Sequence, residues 1–151
     1  MFLRVANFTQ NLLNCLKVEF GEDKVFFFNN DFAKEDSISA CLKNSPVLFV
    51  DFLGDSISGQ FQRICTFEIY IIHATPSVNA KNRETSFYTQ MDFLEKLDNK
   101  LQELKFNHCG VIMPTRLVKE YGEMTKNGFL TIYKREFEVT LYTNPYEEGE
   151  E

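Results

Sequence analysis

His108 and Cys109 are the one place in the chain where a histidine adjoins a cysteine. A thiol beside an imidazole can act as a nucleophile with its base, but that chemistry needs a third orienting group and an oxyanion site. Neighbouring side chains rarely point at each other, so the pair reads as loop. A second set, Asp51, Asp55, Glu68 and Glu84, could be assembled into an acidic metal site of the nuclease kind. Such a site places carboxylates and a lysine at the ends of adjacent strands. Asp51 and Glu68 are the pair to test, but Ile69-Tyr70 follows Glu68 where a lysine would be wanted. Glu68 therefore reads as a solvated, outward residue. His73 ends a long strand on its core-facing parity and reads as a hydrogen-bonded structural residue, because a metal needs at least three donors. Cys65 shares that parity and reads as a small buried hydrophobe. Gly54, Gly59 and Gly110 form neither a GxGxxG pattern nor a P-loop. No catalytic, cofactor-binding or metal-binding residue is assigned on these grounds.

These residues must be positioned by sheet and helix. Phe61 to His73 alternates with a period of two, with Phe61, Cys65, Phe67, Ile69 and Ile71 on one face. Gln62, Thr66 and Glu68 lie opposite, with Ile64, Tyr70 and Ile72 among them, so that second face is expected to be partly covered by a helix or another subunit. Pro46 to Gly54 is a short apolar run, predicting a strand over 47–52, followed by a turn-rich stretch 54–59. Residues 3–20 carry Val5, Phe8, Leu12, Leu13, Leu16 and Phe20 at helical spacing, with Gly21 as C-cap. Residues 24–28 predict a short strand, and Asp36 or Ser37 could cap a short helix to Leu42. After a polar loop over 76–85, a helix is predicted over 86–105, capped by Thr85 or Ser86. Its stripe is Phe87, Met91, Leu94, Leu97, Leu101 and Leu104. The remainder predicts a hairpin, 115–124 and 129–142, turning at Lys126-Asn127-Gly128. Leu130 and Ile132 break the parity of Tyr133, Phe137, Val139 and Leu141, predicting a bulge near 132–135. The expected fold is α+β: a mostly antiparallel sheet of about five strands with two main helices packed on it.

The 151 residues suit one domain, taken as 1–144 with a flexible acidic tail at 145–151. Of the net charge of −6, four negative charges come from Glu147, Glu148, Glu150 and Glu151, so the body is nearly neutral. No basic stripe suggests nucleic-acid binding. No run reaches the roughly 18 apolar residues of a membrane span, and the first residues lack the form of a signal peptide. The four cysteines are scattered without zinc spacing, predicting free thiols in a reducing cytoplasm.

In order and spacing the chain resembles the tail-terminator and minor-tail proteins of tailed phages, of the Mu-like prophage type. The resemblance rests on the helix Val5–Leu16, the strand Pro46–Gly54, the long strand Phe61–His73, the helix bearing Tyr88, Met91, Leu94, Leu97 and Leu101, and the closing strand Phe137–Tyr142. The segment 24–45 and the acidic tail depart from it. It implies a non-enzymatic ring subunit, with a hexamer suspected, that caps the tail tube and meets head-completion proteins. Such a protein would be cytoplasmic during assembly and then part of the virion tail. Contacts are expected through three surface segments: Asp55, Ser56 and Ile57 in the first, Asn79, Lys81 and Arg83 in the second, Lys126 and Asn127 in the third. Two alternatives are a metal-dependent nuclease or other small hydrolase using Asp51 and Glu68 with Glu84 or Asp55, and a small α+β binding module whose ligand sits against the sheet. The binding module would show a Phe-lined cavity larger than about 300 Å³.

Overall fold

Apolar residues at three- and four-residue spacing make the first helix, α1 (Val5–Phe20), and bury Phe8, Leu12, Leu16 and Phe20 on one side. It ends where Gly21 takes a φ of 110°, a left-handed conformation that a Cβ would strain. The Gly21 amide closes the last turn on the Lys17 carbonyl at 2.8 Å. The computed structural model describes residues 5–27, 45–59, 61–75, 80–125 and 128–142. After α1 come β1 (Val25–Phe27), β2 (Val47–Ile57), β3 (Gln62–Thr75), α2 (Ala80–Glu103), β4 (Met113–Thr125) and β5 (Gly128–Tyr142). The five strands form one sheet in the order β1-β2-β3-β5-β4. β1 runs parallel to β2, and every other pairing is antiparallel. The fold is α+β, as the patterning predicts.

Both helices cover one face. Phe8, Leu12 and Leu16 of α1 and Leu94, Leu97 and Leu101 of α2 meet Leu48, Val50, Cys65, Phe67, Ile69, Phe137 and Val139 of the sheet. At its centre the Phe67 ring lies 5.2 Å from Phe137, stacked, 5.3 Å from Phe8 and 5.1 Å from Phe52. Arg135 of β5 clamps Asp98 of α2 with two hydrogen bonds of 2.9 and 2.7 Å, fixing the helix against the sheet. The opposite face carries a smaller apolar cluster of Val47, Phe49, Ile72 and Leu130. Phe26, Tyr70, Tyr121 and Ile132 pack against it. Ile72 and Tyr70 of the second face of β3 thus pack within this cluster.

Four sequence expectations change. β2 runs on through Gly54 to Ile57, where a turn was expected: Gly54 at φ 142° follows a register shift after Phe52, and pairing with β3 resumes as far as Ile57↔Arg63. α2 starts at Ala80, so Lys81 and Arg83 are helical and not in a loop. Phe87, assigned to the buried stripe, is 44% exposed. β5 has no bulge; its ladder with β3 is unbroken from Phe129 to Tyr142. The register shifts lie on β4, between Pro114 and Arg116 and between Lys119 and Tyr121. Leu130 and Ile132 need no parity switch because they face the second cluster. The short helix expected near 36–42 lies outside the described residues, as do Asn79, Lys126, Asn127 and the acidic tail. Among the described residues no helix is long and apolar enough to cross a membrane.

Candidate functional site

The register brings Asp51 and Glu68 directly opposite each other, and Glu136 opposite Glu68 from the other side. Three carboxylates therefore lie in one row across the face that carries the smaller cluster. The missing lysine comes from β5. Lys134 Nζ lies 3.0 Å from Glu68 Oε1, 3.0 Å from Glu120 Oε1 and 3.8 Å from Glu136. The Tyr70 hydroxyl donates to the other Glu68 oxygen at 3.0 Å. Glu68 is only 6% exposed, so it is a buried carboxyl group held by Lys134 and Tyr70 and not the solvated outward residue expected from its parity. The surroundings act on each partner. Burial, then the bond to Glu68, push Tyr70 up to about 12. Hydrogen bonds to Glu120 and Glu68 raise Lys134 above the usual lysine range. Burial and the neighbouring Glu68 raise Asp51.

The other two acids are elsewhere. Asp55 pairs with Arg63 at 3.0 Å. Glu84 sits on α2, across the sheet, and accepts from the Tyr88 hydroxyl at 2.9 Å. Among the described residues no group of three His, Cys, Asp or Glu is placed to hold a metal ion. The row offers a lysine-centred ion cluster.

His73 meets a partner that its spacing does not reveal. Ser86, in the second turn of α2, hydrogen-bonds His73 Nδ1, and Thr75 donates to the Ser86 oxygen. An Nδ1 that accepts from a hydroxyl belongs to a neutral ring with its proton on Nε2. Burial, then the charge of Lys24, hold the His73 pKa below the ordinary 6.5. The trio links the end of β3 to α2, and no carboxylate completes a triad in these hydrogen bonds. The depressed pKa sets a pH dependence. The unfolded chain takes up a proton near pH 6.5 that the folded one resists, so this stabilisation is complete above 6.5 and is lost as pH falls through the folded value. In urea titrations between about pH 7 and 5, His73→Gln is expected to flatten the acid-side loss. Equal slopes for variant and wild type would refute the assignment.

His108 and Cys109 do not face each other. His108 sits at a φ of 61° on the surface, while Cys109 turns inward and its thiol donates to the Gly110 carbonyl at 3.1 Å. Burial pushes both Cys109 and Cys65 up to about 11, so neither supplies a thiolate at neutral pH.

Of the predicted contact residues, Asp55, Ser56 and Ile57 lie on the last residues of β2, and Ile57 is 72% exposed. Tyr142, Val111 and Met113, also exposed, share that end of the sheet: Tyr142 pairs with Gln62 beside the β2–β3 turn, and Met113 pairs with Glu138. Lys81 and Arg83 lie at the opposite end, on the first turns of α2. Arg83 stands 5.1 Å over the Phe129 ring and, with Phe87, Gln90, Lys119 and Tyr133, borders a groove of about 300 Å³. Gln90 forms its floor, 1% exposed, and donates to the Ile71 and Thr131 carbonyls at 2.9 and 3.2 Å. The sequence reading missed this groove. The signal was a polar Gln90 within an otherwise apolar helical stripe, one residue from Met91.

No protein-family model matches the chain, and no curated protein matches it.

Proposed function

We propose that this chain is a structural assembly protein, a ring-forming subunit of the tail-terminator kind that caps a tail tube and joins it to a head. On this reading it makes contacts and no covalent chemistry, works in the cytoplasm during assembly and ends in the virion tail. One observation carries the proposal. Glu68, Asp55, Glu84 and His73, four of the reactive side chains that the sequence raised, are engaged in structural pairs, while four exposed apolar side chains, Ile57, Val111, Met113 and Tyr142, share one end of the sheet. Glu68 is held by Lys134 and Tyr70, Asp55 by Arg63, and His73 by Ser86. Ile57, Val111 and Met113 are each more than 60% exposed. Clustered exposed apolar groups of this kind mark protein contacts. The α+β fold is the one that the resemblance implies.

Sedimentation velocity over a concentration series tests the reading. The expected result is a closed oligomer at high concentration. Ile57→Lys combined with Met113→Lys is expected to shift the chain to monomer without changing its melting, since both sites are open to solvent. A chain that stays monomeric at every concentration would overturn the proposal.

A further inference from the structure

We infer that the groove between α2 and the β4–β5 hairpin receives the acidic stretch Glu147–Glu151 of a second copy of this chain, making the ring contact head-to-tail. The inference rests on the ring reading above. Three observations lead to it.

The first is charge. The groove is bordered by Arg83 and Lys119, and Lys81 lies two residues before Arg83 on α2. The carboxylate at its rim, Glu84, is already bonded to Tyr88. The residues 147–151 carry four negative charges in five positions. Opposite charges on two surfaces of one chain favour their meeting and set its orientation.

The second is shape. A volume of about 300 Å³ is at the lower limit for a small-ligand cavity, and the groove runs along a helix. Exposed Phe87 and the Phe129 ring give it apolar walls, and Tyr146 precedes the four glutamates. An extended segment with one aromatic residue and several carboxylates suits such a site better than a compact molecule does.

The third is reach. Tyr142 and Thr131 are eleven residues apart on the same strand, a separation of roughly 36 Å at about 3.3 Å per residue. Glu147 lies five residues beyond Tyr142 and can reach at most about 18 Å, and Glu151 about 32 Å. The near edge of the groove, Tyr133 with Lys119 paired to it, lies nine residues or about 30 Å from Tyr142, so Glu147, Glu148 and Glu150 fall short of the groove of their own chain and only Glu151 could touch its edge. The acidic stretch is, however, attached to the end that exposes Ile57, Val111 and Met113. A copy placed end to end would seat its acidic stretch in its neighbour's groove. Such a heterologous contact repeats around a ring.

Charge reversal tests this in the full chain. Wild type is expected to associate in low salt. Replacing Glu147, Glu148, Glu150 and Glu151 with Gln is expected to weaken association about tenfold or more, and salt to weaken wild type in the same direction. Arg83→Glu with Lys119→Glu makes one reversed partner, and lysine at the four acidic positions makes the other. Each alone is expected to be monomeric, and an equal mixture to associate again. If wild type forms oligomers and the Gln variant forms them equally well, the groove assignment falls and the ring reading stands. If wild type is monomeric throughout, both fall.

Discussion

Phe67→Ala is expected to destabilise the protein by about 3–5 kcal/mol, a large part of the roughly 5–15 kcal/mol that holds a domain of this size folded. Phe67 is wholly buried, and its ring contacts Phe8 of α1, Phe52 of β2 and Phe137 of β5 at centroid distances of 5.1–5.3 Å. Removing it leaves a cavity bounded by three rings on three different elements. None can close it without moving its own element, because interiors are packed near crystal density. Phe67→Leu retains much of the volume and is expected to cost about 1.5 kcal/mol or less. Urea titration measures both, with the midpoint falling and the slope unchanged. An alanine variant within about 1 kcal/mol of wild type would mean that the aromatic cluster is not the centre of the core.

Lys134→Met is expected to cost about 3 kcal/mol for an electrostatic reason. Lys134 is the cation that the acids around it share: Glu68 and Glu120 at 3.0 Å and Glu136 at 3.8 Å. Without it Glu68 remains buried, with Asp51 and Glu136 opposite it and only the Tyr70 hydroxyl as donor. Breaking a buried pair costs more than the pair contributes, because the remaining charge is uncompensated. The double variant Lys134→Met, Glu68→Gln is therefore expected to recover most of the loss, since a neutral amide keeps the Tyr70 bond without a charge to solvate. Additive costs in the double variant would contradict this account. In wild type, Lys134 and Tyr70 both hold their protons to a higher pH than ordinary side chains do. The folded state thus binds more protons above about pH 10, and this part of the stability is lost as pH rises past that point.

The sequence was legible where one face of an element is buried along its whole length. The alternation of Cys65, Phe67, Ile69 and Ile71 and the spacing of Leu94, Leu97 and Leu101 each match a buried face. It was less legible where an element is exposed on every side. The first turns of α2, 81–85, are exposed, so no apolar periodicity marks them, and Thr85 bonds back to the Lys81 carbonyl in place of capping a helix. The end of β2 reads as a turn because β1 pairs with it only as far as Val50, and among the described residues Gly54–Ile57 pair with β3 alone. Of the candidate sites, the Asp51–Glu68 pair follows from the two strand periods. Lys134 could not be foreseen, because it arrives through a register set some 65 residues later in the chain. Ser86 was considered as a cap, while its bond to His73 depends on how α2 crosses the end of β3. The groove at Arg83 and Lys119 needs α2 and the hairpin to be brought together before it exists.

The most direct measurement of the central claim is electron microscopy of the purified chain with its mass in solution. The account predicts closed rings, six subunits of 17.7 kDa giving about 106 kDa, with each subunit contacting its neighbours end to end. Particles of single-subunit mass at all concentrations, or two-fold dimers joined through equivalent surfaces, would contradict it.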